Sequence, residues 1–137
     1  MPMTARQSRG RETQHIVARW FREHGFTYAA AIVGGKAGRD IENMPGLAPE
    51  CKATAKYPGP IALRQAKGNA NGDLPFVIWR QNGQGPNVIH DWSVIIRLSD
   101  FTELIRDAGY GEPPDVPLGQ KIDRFVADVI ALEEGHE

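Results

Sequence analysis

The chain is almost without cysteine: Cys51 stands alone among 137 residues. A single thiol excludes a disulfide scaffold and a cysteine-rich zinc module. Long apolar runs are also missing, since no stretch approaches the roughly 20 residues that cross a bilayer. The opening residues, MPMTARQSRGRET, lack the apolar core of a signal peptide. These absences lead to the expectation of a cytoplasmic protein with no membrane partner.

Acids are scarce in the body of the chain and bases are scarce in its tail. Residues 1–98 hold 13 Lys and Arg against 7 Asp and Glu, a balance of +6, while residues 99–137 hold 3 against 10, a balance of −7. The formal net charge of −1 therefore averages a basic body and an acidic tail. Such asymmetry is compatible with a polyanion as partner for the body, and equally with ordinary surface charge. With hydrophobic residues at 41% and charged residues at 24%, the composition is globular and the length suits one domain with its own core.

Apolar periodicity predicts the elements. Residues 8–24 read as an amphipathic helix, with Ile16, Val17, Trp20 and Phe21 on one stripe and Arg11, Arg19, Arg22 and Glu23 away from it. Residues 26–33 read as a first strand, stopping at the loop Gly34-Gly35-Lys36-Ala37-Gly38. Asp40-Ile41, the turn Asn43-Met44-Pro45-Gly46 and residues 47–54 suggest a hairpin. Pro60 suits the first turn of a helix over residues 61–71. Residues 74–80 and 88–98 read as strands, residues 99–108 as a helix behind Ser99-Asp100, and residues 120–134 as a last amphipathic helix. That helix carries Ile122, Phe125, Val126, Val129 and Ile130 on one face. The order implies an α/β fold: a central mixed β-sheet flanked by helices, with an appended C-terminal helix. The expected divisions are an α/β domain over residues 1–110, a Pro-rich linker over 111–118 and an acidic amphipathic helix over 119–137.

The chemistry concentrates in the hairpin. Side chains two apart on a strand share a face, so Glu50 and Lys52 project together while Cys51 points the other way and reads as a small core residue. Two carboxylates, Asp40 and Glu50, can hold a divalent cation through hard oxygen ligands, and an ammonium beside them can position water. An exposed strand face with a cross-strand ion pair explains the triplet as well. Register decides whether Asp40 can join. A two-residue Pro45-Gly46 turn would pair Asp40 with Cys51, whereas one bulge sets it opposite Glu50, and the latter is expected.

The order of these features resembles the PD-(D/E)XK nuclease superfamily, most closely the Holliday junction resolvases of archaeal and phage type. Arg9-Gly10-Arg11-Glu12 opens the first helix and His24-Gly25-Phe26 forms the turn behind it. Asp40, then Glu50 and Lys52, fill the central motifs, Gln65 lies in the following helix, and Leu74-Pro75-Phe76-Val77-Ile78 matches the next strand. The resemblance covers residues 9–98. Arg39 stands where the family commonly has Pro, and the tail beyond Gly109 has no counterpart.

The resemblance implies a restriction-endonuclease-like fold and a Mg²⁺-dependent endonuclease, with Mn²⁺ as a substitute cation, hydrolysing DNA phosphodiesters at four-way or other branched junctions. It implies a catalytic set of Glu12, Asp40, Glu50, Lys52 and Gln65, with Asp40, Glu50 and Glu12 as metal ligands. Glu12 falls about 40° from Ile16 on the helical wheel, at the margin of the buried stripe, where a helix-start acid favoured by the macrodipole also belongs. Arg9, Arg11, Lys36, Arg39, Lys56, Arg64 and Lys67 would hold the DNA backbone without reading sequence. Two symmetric cleavage points on a junction lead to the expectation of a homodimer. A nuclease of the same superfamily acting on linear duplex, and a non-catalytic DNA-binding module of the same fold, are the alternatives.

Other motifs are weaker. Gly34-Gly35-Lys36-Ala37-Gly38 lacks the Gly-Lys-Ser/Thr ending of a nucleotide P-loop. His90-Asp91 has no His/Asp cluster around it. Trp79 and Trp92 sit in apolar segments and are expected in the core.

Overall fold

A computed structural model describes residues 3–32, 38–111 and 118–134, with side chains of the last stretch from residue 125 onward. Helix α1 spans Ala5–Glu23. It starts earlier than expected because Thr4 and Gln7 form a capping box: the Gln7 amide donates to Thr4 Oγ1 at 3.2 Å and the Thr4 amide to Gln7 Oε1 at 3.0 Å. At the other end Gly25 takes φ 98° and the Phe26 amide reaches back to the Phe21 carbonyl at 2.9 Å. Phe26 then meets the Phe21 ring edge-on at 5.5 Å. This Schellman closure, with its apolar clasp, uses residues that were expected to open a strand. Among the described residues strand β1 is therefore Ala30–Ala31, paired antiparallel with β2, Ile41–Glu42, and residues 33–37 of the expected strand end and loop lie outside the described residues.

The main sheet is mixed, as expected. Strand β3 (Leu47–Thr54) and strand β4 (Leu74–Gln81) run parallel, joined through helix α2 (Gly59–Gly68), and β5 (Ser93–Ile95) adds antiparallel to β4. A parallel pair needs such a crossover, because no tight turn can reverse the chain twice. Strand β5 is far shorter than the expected span of residues 88–98. Pro86 opens a short 3₁₀ segment over Pro86–Asp91, closed by the Trp92 amide on the Ile89 carbonyl at 3.0 Å, and helix α3 (Leu98–Asp107) begins where the strand was to continue.

Sheet alternation sorts the side chains into two apolar clusters. On one face Phe76 and Ile78 pack with Val17 and Ala18 of α1, Ile41, Met44 and Trp92, and Cys51 lies against them. On the other, Val77 packs under Ala62 and Ala66 of α2. Ala62 and Ala66 are one helical turn apart, and their small side chains let α2 lie close to the strands that carry Glu50 and Lys52.

The chain forms two compact units, Met1–Phe101 and Thr102–Glu137, so the division falls before the expected residue 110. Of the expected linker, residues 112–117 lie outside the described residues. Helix α4 runs over Leu118–Glu134. Of the expected apolar face, Phe125, Val126, Val129 and Ile130 are exposed, and the Ile122 side chain lies outside the described residues. No helix among the described residues is long and apolar enough to cross a membrane.

Candidate active site

Asp40 enters the site from the segment before β2. The turn over residues 44–47 is a Pro-Gly turn, with Gly46 at φ 82° and the Leu47 amide on the Met44 carbonyl at 3.0 Å. Asn43 also takes a left-handed φ of 63°. Beyond this irregularity the Asp40 amide donates to the Pro49 carbonyl at 3.2 Å. The backbone thus sets Asp40 against Pro49, one residue away from the expected position opposite Glu50. Its side chain closes the gap: Oδ2 accepts the Cys51 amide at 2.7 Å, and the Asp40 and Glu50 carboxyls lie close enough to share a hydrogen bond when one is protonated.

Glu50 is 4% exposed, and its Oε2 is buried with no hydrogen-bond partner. Lys52 Nζ stands 3.9 Å from Glu50 Oε1 and donates to Gln65 Oε1 at 2.9 Å. Asp40, Glu50, Lys52 and Gln65 are therefore brought together, two from β3, one from the segment beside it and one from α2. Burial pushes Glu50 from an ordinary 4.5 up to about 7, the neighbouring Asp40 charge adding to the rise and Lys52 opposing it. Burial also raises Asp40, against the pull of the Cys51 amide and Lys52. The pair is therefore harder to ionise fully than two solvated carboxyls.

Glu12 does not join them. It lies on α1, over the opposite face of the sheet, and pairs at 3.7 Å with Arg80, whose register partner on β3 is Ala53. Arg80 is 4% exposed, donates to Thr13 Oγ1 and the Gln84 carbonyl, and lies 5.2 Å from the Trp92 ring centre. That makes Glu12 the countercharge of a buried arginine. Among the described residues no group of three or more His, Cys, Asp or Glu is arranged to hold a metal ion.

The expected phosphate-binding residues divide. Arg39 donates to the Leu47 carbonyl at 2.8 Å, the Ala70 carbonyl at 2.8 Å and Asp73 Oδ2 at 2.7 Å, so its guanidinium ties the turn to the end of α2. Arg9 gives one bond to the Gln81 carbonyl at 3.3 Å. Arg11, Lys56, Arg64 and Lys67 are exposed and form no ion pair among the described residues. Lys36 lies outside the described residues. The Cys51 thiol faces the α1 side, pushed well above its ordinary pKa by burial and then by the Asp40 and Glu50 charges, which keeps it protonated and inert. His90 and Asp91 form an exposed pair at 3.5 Å with no third ligand among the described residues.

Sequence reasoning missed Asn69, whose side chain pulls the Glu50 pKa downward. Its spacing of four from Gln65 on a helix was the available signal. Comparison with protein-family models, curated proteins and solved structures gives no match for this chain.

Proposed function

We propose that this protein is a metal-dependent DNA endonuclease, with branched or four-way junction DNA as its preferred substrate. One observation carries the reading: a buried Glu50 oxygen without a partner, beside a second carboxyl and a lysine held by a glutamine. The donor set fits a small divalent cation such as Mg²⁺, or Mn²⁺ in its place. Two carboxylates crowded together gain most from a positive charge between them. Mg²⁺ is commonly held by one or two carboxylates, with water and substrate phosphate completing its shell. Asp40 and Glu50 would hold it; Glu12 is spent on Arg80.

When bound, the cation supplies Lewis-acid polarisation of a phosphodiester and a lowered pKa for water. The chain supplies the rest. Gln65 fixes the Lys52 ammonium, leaving its other protons to donate to the phosphate oxygens where negative charge grows. Hydrolysis joins a water oxygen to phosphorus and breaks one P–O ester bond, with the departing oxygen taking a proton. Lys56, Arg64 and Lys67, on the side of the sheet that α2 covers, would bear on neighbouring phosphates and so give affinity without sequence preference.

The protein would work in the cytoplasm as a homodimer, since a junction has two symmetry-related cleavage points. The exposed Phe125, Val126, Val129 and Ile130 of α4 offer apolar surface for pairing. The test is incubation with labelled four-way junction, linear duplex and single strand, with and without Mg²⁺. Junction cleavage that needs the cation supports the reading. Preference for linear duplex moves the substrate, and binding of all three without cleavage assigns a DNA-binding module instead.

A further inference from the structure

An apolar groove adjoins the acid and lysine cluster on the same face of the sheet. Trp79 is the register partner of Lys52, and Ser93 is the partner of Trp79. Neighbouring strands lie about 4.8 Å apart, so the groove begins one strand away from the Lys52 backbone. Tyr57, Trp79, Ser93, Ile95 and Phe101 line a cavity of about 530 Å³. Tyr57 is 59% exposed and meets Trp79 edge to face at 5.8 Å, while Trp79 Nε1 is anchored by Thr54 Oγ1 at 3.0 Å. One aromatic is thus fixed in the floor and the other stands at the rim.

What borders the groove decides what it takes. Lys56 immediately precedes Tyr57 and is exposed with no ion pair among the described residues, and Lys52 stands one strand from Trp79. Aromatic rings with cations at one end form the stacking platform with an electrostatic border that serves single-stranded nucleic acid. An apolar peptide would use the rings and leave these two lysines idle, whereas a nucleotide uses both.

We infer that this groove receives an unpaired nucleobase, stacked on Tyr57 and Trp79, next to the phosphate held at Lys52. The inference rests on the nuclease reading and narrows its substrate: the nucleotide beside the cut must be unstacked. Branch points and bulges supply such a nucleotide at low cost, and perfect duplex does not.

The test uses full-length protein and a duplex with one bulged 2-aminopurine, whose fluorescence falls when it stacks. A chelator is present during binding, and cleavage of the same duplex is followed separately in Mg²⁺. Saturable quenching is expected, with affinity lowered about tenfold by Tyr57→Ala, restored by Tyr57→Phe, and unchanged on perfect duplex. Equal affinity of the wild type and Tyr57→Ala for the bulged duplex, with cleavage intact, overturns the groove and leaves the nuclease reading standing. Absence of both binding and cleavage overturns both. A loss of dimer mass in Tyr57→Ala, with DNA affinity kept, assigns the groove to a second copy and overturns the inference.

Discussion

Replacing Glu50 by Gln is expected to make the protein more stable at alkaline pH and no more stable in acid. Burial disfavours the ionised carboxylate, which is why its pKa rises from 4.5 in the ordinary state to about 7 in the fold. Between those two values the unfolded chain has lost the proton that the folded chain keeps. The unfolded state therefore binds fewer protons, and stability falls as pH rises through this window. At about 1.4 kcal/mol per pH unit, the loss accumulated from pH 4.5 to 7 is about 3 kcal/mol, after which the curve flattens. The glutamine side chain does not ionise and keeps a similar shape. Urea unfolding of wild type and Glu50→Gln at pH 4, 5, 6, 7 and 8 without divalent cation measures this directly. The expected difference is near zero at pH 4 and about 3 kcal/mol in favour of the variant at pH 8. A difference that is the same at every pH, or one that favours the wild type at pH 8, refutes the reasoning.

Other consequences follow from the same geometry. Millimolar Mg²⁺ is expected to raise the wild-type melting temperature at pH 8, by about 2.7 kcal/mol of stability when the ion is at 100 times its dissociation constant, and Asp40→Asn is expected to lose this response in thermal unfolding. Arg39→Ala, which removes three bonds between the turn and the end of α2, is expected to cost about 2–3 kcal/mol in urea titration, with less folded protein surviving and no separate defect in DNA binding. DNA affinity is expected to fall steeply with salt. Substituting Lys56, Arg64 and Lys67 one at a time should lower the log–log slope by about 0.9 for each phosphate that is no longer neutralised, and an unchanged slope in all three would remove them from the interface.

Much of the site was legible because it depends on local periodicity. Glu50 and Lys52 share a face by the two-residue repeat of a strand, and Gln65 reaches Lys52 because α2 crosses directly above them. The mixed sheet was legible from a helix set between two apolar strands. What escaped depends on pairing across the fold. Arg39 and Arg80 look like surface cations in the sequence, and only tertiary structure gives them acceptors and a countercharge, drawing Glu12 to the far face. Segments 26–33 and 88–98 have strand composition, yet the Gly25 closure and Pro86 impose turns that composition does not register. Asp40 lies one residue from its expected position because the left-handed Asn43 shifts the register between the turn and β2. Its carboxyl still reaches Glu50, since a side chain spans what the backbone offset opens.

Joint action of Asp40, Glu50 and Lys52 on a phosphodiester is tested most directly by single-turnover cleavage of a labelled four-way junction in Mg²⁺. Wild type, Asp40→Asn and Lys52→Ala are compared, with junction binding measured alongside. Cleavage by the wild type is expected, with loss of the rate by orders of magnitude in each variant and binding retained in both. Cleavage by either variant at a rate close to wild type would contradict that shared role.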